Sequence, residues 1–144
     1  MSMTACAHQD KAPLPNQGQQ ITAKALFAQH DGFADSYQEF KTSKKAITAL
    51  KNIKVPIKIV GLFGTWCHDS EREVPKLVKL VEQANNPNIT LELIAVNMKK
   101  QAAPRYNLQY TPTFIIYKNE QELGRIVERP QISLVQDIIA AINP

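Results

Sequence analysis

The sequence predicts an α/β domain built on a central mixed β-sheet that is flanked by helices and preceded by an N-terminal helical extension. Two almost fully apolar segments, Ile57 to Phe63 and Ile89 to Val96, are typical of strands that are buried on both faces of a sheet. A further pair of segments, Phe114 to Tyr117 and Leu123 to Val127, flanks the polar residues Asn119 to Glu122 as the strands of a β-hairpin do. The sheet is therefore expected to contain both parallel and antiparallel pairs.

Three short helical pieces are predicted ahead of the first of these strands, between Ile21 and Ile53. Apolar residues recur at helical spacing within each piece, and Ser43 is placed to cap the third one. The dipeptide Val55-Pro56 then ends the helical region, because proline forces the residue before it out of the α conformation.

Two longer helices are predicted between and after the strands. The first follows Cys67 and contains Pro75, which predicts a kink. Its apolar residues recur with helical spacing at Val74, Leu77, Val78 and Val81. The second begins with Ser133 and Gln136, which form a capping box, and carries apolar side chains along one face as far as Ile142.

Residue types divide the chain into an arm and one domain. Residues 1–20 contain two prolines, one glycine and four glutamines without apolar periodicity, which predicts a flexible N-terminal arm. The remaining residues, 21–144, are expected to form a single domain with a helical part at 21–54 and a core at 55–144.

Composition and charge exclude several classes of function. The net charge is +4, and the basic residues are dispersed instead of being interleaved with aromatic residues on one element, so no nucleic-acid partner is expected. The longest apolar run is five residues, far below the roughly 20 that a membrane-crossing helix needs. The spacing of the cysteines and histidines matches no zinc motif, so neither a metal site nor another cofactor is expected.

Cys6 leaves two locations open. The segment Met3 to Cys6 resembles the end of a bacterial lipoprotein signal, in which a small residue precedes a cysteine that becomes lipidated, but the apolar stretch that such a signal requires is missing. As written, the chain is expected to be cytoplasmic and to have no membrane partner. If Cys6 is a lipoprotein cysteine that follows an absent signal, the protein lies instead in the bacterial cell envelope or periplasm.

The residues that carry chemistry lie between Gly64 and Ser70, where a buried strand leads into a helix. A cysteine at a helix N-terminus lies next to unpaired N–H groups and the positive end of the helix dipole, and both stabilise the thiolate over the thiol. Cys67 is therefore the candidate nucleophile. His68 is placed to add positive charge when protonated, and Trp66 is placed to shield one side of the sulfur.

The segment Trp66 to Ser70, with the sequence Trp-Cys-His-Asp-Ser, followed by a helix that contains Pro75, resembles the active-site segment of the thioredoxin superfamily. The segment Tyr110 to Phe114 is similar to the cis-proline loop of that family, and Asn119 to Gly124 is similar to the hairpin that follows it. The resemblance extends from about Ile57 to Ile142 and is greatest to a bacterial group of thioredoxin-like proteins with a WCxDS motif. It implies a thioredoxin-like fold.

The resemblance also implies a chemistry and a partner. Cys67 would exchange disulfides with a thiol- or disulfide-containing protein or with glutathione. Trp66, Thr111 and Pro112 would bind the substrate, whose extended chain would pair with the backbone beside Pro112 as an added strand. A cis Thr111-Pro112 bond is plausible because the tertiary amide lowers the cis penalty to roughly 0.5–1 kcal/mol. The protein is expected to act as a monomer.

Three departures separate this sequence from a dithiol thioredoxin. Ser70 stands where the family has its second, resolving cysteine, so the motif is a monothiol CxxS. Gly61 stands where the family has a buried aspartate, and Ala95 stands where it has the lysine that pairs with this aspartate. In the family the aspartate transfers a proton to the second thiol, so neither residue is needed where that thiol is absent. Ser70 can instead donate a hydrogen bond to the Cys67 thiolate and lower its pKa. Because the aspartate and the lysine are absent together with the second cysteine, we interpret Ser70 as a natural residue. The alternative is a serine that was introduced by engineering to trap partners as mixed disulfides.

Three functions remain open at this point, and whether the protein is an enzyme is open with them. The first is monothiol exchange with Cys67, Ser70 and His68 as the catalytic residues. The second is a redox-silent peptide-binding or chaperone-like module that uses the groove beside Trp66 and Pro112. The third is a monothiol glutaredoxin-like role that binds glutathione or shares an iron–sulfur cluster. The tryptophan and the His-Asp pair resemble thioredoxins more than those glutaredoxins.

Two other features complete the sequence predictions. Arg72 and Glu73 fall on the helix that leads away from the motif and are predicted to face water. Cys6 is the only other thiol in the sequence. It is a candidate to resolve a mixed disulfide at Cys67, but no pattern in the sequence positions it.

Overall fold

The computed structural model describes residues 18–99 and 106–144. Within these ranges the elements are, in chain order, β1 (Gln19–Ile21), α1 (Ala23–Gln29), α2 (Asp31–Glu39), α3 (Lys44–Lys51), β2 (Ile57–Phe63), α4 (His68–Ala84), β3 (Ile89–Ala95), β4 (Thr113–Lys118), β5 (Gln121–Val127) and α5 (Leu134–Ile142). Residues 1–17 of the predicted arm lie outside the described residues.

The strands form one sheet in the order β1-β3-β2-β4-β5. β2 runs parallel to β3, with Ile57 opposite Ile89, and antiparallel to β4. β1 pairs antiparallel with β3, and β4 pairs antiparallel with β5. The predicted α/β class, with a central mixed sheet flanked by helices, is confirmed. Every residue of β2 except Lys58 is buried. The position of the residues that follow this central strand is therefore fixed by the core.

Two apolar clusters cover the two faces of the sheet. The larger joins one face to the helices and includes Phe33 of α2, Phe63 of β2 and Leu77 of α4. The rings of Phe33 and Phe63 lie 5.7 Å apart between centroids, so the helical part that precedes β2 packs directly into the main core. The smaller cluster contains Val60, Leu62, Ile94, Val96, Tyr106 and Ile115.

Two local features differ from the sequence predictions. Gln19–Ile21 form the edge strand β1, although the sequence pattern places the first two of these residues in the arm and the third in a helix. The hairpin turn is shorter than predicted, because β5 begins at Gln121 and leaves only Asn119 and Glu120 between the strands. Both turn residues have positive φ, 50° and 63°, as in the type I′ turns that match the twist of a hairpin.

The predicted helix caps are present. The Oγ of Ser43 accepts a hydrogen bond from the amide of Ala46 at 3.1 Å, and the Oγ of Ser133 accepts one from the amide of Gln136 at 3.1 Å. α4 includes Pro75 within its length and ends at Asn85, which adopts the left-handed conformation with φ 45°. An asparagine tolerates this conformation at a helix C-terminus better than most residues do.

Asn86 joins the loop before β2 to the loop before β3. Its Nδ2 donates to the carbonyls of Leu50 and Ile53, both at 2.9 Å. Its Oδ1 accepts from the amide of Asn88 at 2.9 Å, and the carbonyl of Asn88 accepts from the amide of Ile57 at 2.8 Å. The first residue of β2 is therefore anchored through this one side chain and its neighbour.

Asn86→Ala is expected to lower the free energy of unfolding by about 1–3 kcal/mol, because the carbonyls of Leu50 and Ile53 each lose one hydrogen-bond donor and the amide of Asn88 loses its acceptor. Urea denaturation followed by circular dichroism measures this change. Asn86→Asp is the matched control, since it keeps the acceptor for Asn88 but has no amide hydrogens to donate. We expect the control to lose most of the same stability; an Asn86→Asp variant as stable as the wild type would contradict the role given to Nδ2.

Candidate active site

Cys67 lies at the junction between the central strand and the longest helix. It is the N-cap residue of α4 and has an extended backbone with φ −101° and ψ 123°. Its amide donates to the carbonyl of Gly64 at 3.1 Å, and its own carbonyl accepts from the amide of Glu71 at 3.0 Å. These two hydrogen bonds fix the backbone on both sides of the sulfur.

The sulfur faces the loop that precedes β4. The Sγ–H of Cys67 donates to the carbonyl of Thr111 at 3.5 Å, and the Thr111–Pro112 peptide bond is cis. Thr111 is buried, and the amide of Glu128 donates to the carbonyl of Pro112 at 2.7 Å. The hydroxyl of Thr113 donates to the carbonyl of Tyr110 at 2.7 Å. These bonds fix the loop on both sides of the residues that face Cys67.

Ser70 lies one helical turn after Cys67 and is completely buried. Its Oγ accepts a hydrogen bond from the amide of Gly64 at 3.1 Å. Because a hydroxyl carries one hydrogen and accepts through its lone pairs, the bond from Gly64 leaves the Ser70 hydrogen available to donate to the sulfur. The sequence prediction that Ser70 can donate to a thiolate therefore has a geometry that supports it.

Hydrogen bonds lower the pKa of the Cys67 thiol below its ordinary value. Partial burial of the sulfur acts in the opposite direction and raises this pKa, but the side chains of Thr111 and Ser70 and the backbone amides of Ser70 and Asp69 outweigh it. The amides belong to the first residues of α4, where the helix has N–H groups without intrahelical partners. The thiolate of Cys67 is thus stabilised by the end of the helix that the sequence places next to it.

Trp66 directly precedes Cys67 and is held in place although the residue is 38% exposed. Its Nε1 donates to the carbonyl of Val96 at 3.2 Å, and the amide of Val96 donates to the carbonyl of Phe63 at 2.8 Å. A Cβ on Gly64 would lie 2.4 Å from the indole ring, so only glycine fits beneath the indole as it stands. His68, the first residue of α4, is exposed to solvent.

The sequence prediction that Glu73 faces water is wrong. Its side chain is 6% exposed and accepts from the Nε of Arg72 at 2.9 Å. The same guanidinium donates through Nη1 to Asp69 at 2.8 Å. A buried carboxylate requires such partners. The sequence does contain a signal for this burial: Glu73 is three residues after the buried Ser70 and four before the buried Leu77, which is the spacing of one helix face.

Exposed apolar side chains lie at the same end of the sheet as Cys67. Among the described residues, the large hydrophobic side chains that are exposed are Trp66, Met98, Tyr110, Val127 and Ile132. Each belongs to the end of a strand or to a loop at the edge where β2, β3 and β5 finish and β4 begins. We call these five residues the apolar rim. Apolar side chains that are exposed at one end of a sheet are available for contact with another molecule.

The described residues give no support to a metal site or a membrane span. Residues 18–99 and 106–144 contain no group of three or more His, Cys, Asp or Glu side chains that could hold a metal ion. In the same ranges, no helix combines the length and apolar character needed to cross a membrane.

The chain is similar to known thioredoxins over most of its length. A family model described as thioredoxin matches residues 17–142. A protein named Putative thioredoxin-5 from Dictyostelium discoideum is 30% identical over 98 residues, which are 68% of this chain and 91% of that protein. Thioredoxin Asp f 28 from Aspergillus fumigatus is 27% identical over 85 residues, which are 59% of this chain and 77% of that protein.

Solved structures share the fold. A protein of unknown function from Pseudomonas aeruginosa has a TM-score of 0.60 at 18% identity and covers 85% of this chain and 97% of its own. An HIV epitope-scaffold protein has a TM-score of 0.66 at 19% identity and covers 87% of this chain and 92% of its own. The match to the family model extends beyond the segment on which the sequence resemblance depends and includes the helical part before β2. This chain belongs to the thioredoxin family, whose members generally act on thiols and disulfides.

Proposed function

We propose that the protein carries out thiol–disulfide exchange through Cys67 as a single nucleophile and forms mixed disulfides with protein or low-molecular-weight thiols. The observation that carries this proposal is the position of the Cys67 sulfur at the first amides of α4, between the buried hydroxyl of Ser70 and the loop at Thr111. The family supports a thiol–disulfide redox role in general. The serine at position 70, where the family has its second cysteine, supports the single-thiol form of that role.

In the proposed reaction the Cys67 thiolate attacks one sulfur of a substrate disulfide and displaces the other as a thiolate. The attack needs no second cysteine within the motif. Ser70 has no sulfur and cannot form a disulfide with Cys67. The task of Ser70 is then to stabilise the attacking thiolate through its hydroxyl. His68 is exposed beside the nucleophile, where a protonated ring adds positive charge near the developing thiolate.

The substrate would bind as an extended chain against Thr111 and Pro112. The Thr111 carbonyl accepts the Cys67 Sγ–H while the thiol is protonated. An ionised Cys67 has no hydrogen to donate, so the carbonyl is then free to accept an amide N–H of the substrate, as in strand addition. The apolar rim, which includes Trp66 and Tyr110, would contact the side chains on either side of the substrate cysteine.

The proposal predicts a pH profile for alkylation of Cys67 by iodoacetamide. Because the folded state lowers the pKa of Cys67, the native thiol becomes thiolate at a lower pH than the thiol of the denatured chain. The native rate is expected to exceed the denatured rate severalfold between these two pH values and to equal it at higher pH. Peptide mass spectrometry assigns the label to Cys67. Identical profiles for native and denatured protein would contradict the proposal.

The same shift predicts how stability depends on pH. Between the lowered and the ordinary pKa of Cys67, the unfolded chain holds a proton on this sulfur that the native protein has released. The stabilisation from this group is therefore complete above the ordinary pKa and is lost as the pH falls through the lowered one. Cys67→Ser is expected to remove this part of the pH dependence in urea denaturation experiments under reducing conditions.

Ser70→Ala tests the role of the hydroxyl. Removing a hydrogen bond to the thiolate is expected to raise the pKa of Cys67 and to slow its alkylation severalfold at neutral pH. The denatured variants serve as the control, since Ser70→Ala and wild type should alkylate at the same rate once unfolded. A native Ser70→Ala profile that superimposes on the wild-type profile would mean that Ser70 does not activate the sulfur.

A second candidate function, redox-silent binding of extended peptides, is favoured by the apolar rim. Fluorescence of Trp66, the single tryptophan of the chain, reports on peptide binding at this end of the sheet. Binding of a cysteine-free apolar peptide that is equally tight for wild type and Cys67→Ser, together with slow alkylation of Cys67, would favour this function over thiol exchange.

A further inference from the structure

Arg129 is an exposed cation at the border of the candidate active site. It follows β5, and its side chain is 72% exposed. Two backbone hydrogen bonds hold this part of the chain: the amide of Arg129 donates to the carbonyl of Val127 at 2.7 Å, and the amide of Glu128 donates to the carbonyl of Pro112 at 2.7 Å. Arg129 is therefore attached, through its neighbour Glu128, to the loop that faces Cys67.

The guanidinium of Arg129 extends to the first turn of α4. Its Nη2 lies 4.0 Å from the Oδ1 of Asp69, two residues after Cys67. Cys67 follows β2, Thr111 precedes β4 and Arg129 follows β5, and these three strands are neighbours in the sheet. The indole of Trp66 is bonded just beyond the end of β3, on the other side of β2. Arg129 and Trp66 therefore lie on opposite sides of Cys67 along this end of the sheet.

The carboxylates near Arg129 have other cations as partners. Asp69 accepts from the guanidinium of Arg72 at 2.8 Å. Glu73 accepts from the same guanidinium at 2.9 Å and lies 3.8 Å from the Nζ of Lys76. Among the residues that the structure describes, the guanidinium of Arg129 makes no hydrogen bond, since its contact with Asp69 at 4.0 Å is too long for one. Its donors are therefore available to a ligand.

We propose that Arg129 selects substrates that have a carboxylate on a residue next to the reacting cysteine, so that acidic peptide segments exchange faster than neutral or basic ones. The inference rests on the proposed function, since it concerns the disulfide that Cys67 attacks. A guanidinium binds a carboxylate through paired N–H donors. A residue that flanks the substrate cysteine is one step of about 3.5 Å away along an extended chain, which brings its carboxylate to the border of the site where Arg129 lies.

Arg129 acts on binding and not on the bonds that change. The Cys67 thiolate attacks one substrate sulfur, the S–S bond breaks, and the other sulfur leaves as a thiolate that takes up a proton. Asp69 and the exposed Glu128 would repel an incoming carboxylate, and Arg129 offsets this repulsion. Without Arg129 the same two carboxylates would favour a basic substrate.

The test compares three blocked tripeptides as symmetric disulfides, with the cysteine between two aspartates, two asparagines or two lysines. Each is mixed with the full, reduced chain, and mass spectrometry of the peptide that contains Cys67 gives the rate of adduct formation. For Arg129→Gln relative to the wild type, we expect the aspartate disulfide to react about two- to fivefold more slowly. The asparagine disulfide should react at an unchanged rate and the lysine disulfide faster. Salt at about 1 M should remove these differences.

Lys118→Gln is the matched control, because it makes the same change in net charge at an exposed residue at the other end of β4. We expect it to leave all three rates unchanged, and we expect Arg129→Glu to slow the aspartate disulfide more than Arg129→Gln does. Equal slowing of the aspartate disulfide by Lys118→Gln and Arg129→Gln would overturn the inference.

Two further outcomes for Arg129→Gln would overturn the inference and leave the proposed function intact: unchanged rates for all three disulfides, or a change by the same factor for all three. The proposed function has a separate criterion, which is the reaction of the wild type with the neutral asparagine disulfide. If native Cys67 forms no adduct with that disulfide, the proposed function itself is wrong.

Discussion

Ser70→Cys, made in a Cys6→Ser background, is expected to shorten the lifetime of a glutathione adduct on Cys67 by on the order of 100-fold or more, because the new thiol is held beside the mixed disulfide. The hydroxyl of Ser70 already lies within hydrogen-bonding reach of the sulfur. Residues three apart at the start of a helix have Cα atoms within the distance that a disulfide requires. The product should be a disulfide between positions 67 and 70.

The matched control is Cys6→Ser alone, which differs by one atom at position 70 and has no other thiol to resolve the adduct. An adduct that persists equally long in both variants would show that position 70 faces away from the exchanging sulfur, contrary to the structure. Gly61, which lies beneath the motif on β2, supplies no carboxylate to accept the proton of the new thiol. The resolution rate should therefore increase with pH until the new thiol ionises.

Phe33→Ala is expected to lower the free energy of unfolding by about 3–5 kcal/mol, because it removes a fully buried ring from the main core. Phe33 is 1% exposed, and its ring packs against that of Phe63 at the end of β2 with the two ring planes inclined by 60°. The substitution tests whether the helical part before β2 belongs to the folding unit of the domain. Chemical denaturation, with circular dichroism and Trp66 fluorescence as two probes, measures the change.

Phe33→Leu is the control for Phe33→Ala, since leucine keeps most of the apolar volume and should be considerably less destabilising. A loss below about 1 kcal/mol for Phe33→Ala would mean that α2 packs only loosely on the sheet. Separate transitions for the two probes would mean that the helical part unfolds on its own. Phe63 precedes the active-site turn, so Phe33→Ala is also expected to broaden the pH profile of Cys67 alkylation.

The class of fold and the position of Cys67 were predictable because both depend on strong, local patterns. The apolar run from Ile57 to Phe63 indicates a central strand whatever its neighbours are. A cysteine a few residues after it, at the start of a periodic helix, lies next to helix N–H groups that have no intrahelical partner. The contact between Cys67 and Thr111 was predictable only through the family resemblance, since 44 residues separate them.

Other features were not predictable because their causes are not local. β1 contains only Gln19, Gln20 and Ile21, and glutamine has no preference for strands; the partner residues Leu93 to Ala95 are what make it one. Glu73 was assigned to the surface because it is charged, whereas its burial depends on Arg72.

The brevity of β1 has a consequence for solubility. A sheet with an exposed border strand can pair with the sheet of another molecule and so lead to aggregation. β1 occupies one lateral border of the sheet with three residues, two of which are exposed glutamines, and the opposite border strand, β5, carries the ion pair of Glu122 and Arg125. Neither border offers a long, flat, apolar template, so the sheet is protected at both lateral borders against pairing with the sheet of another molecule.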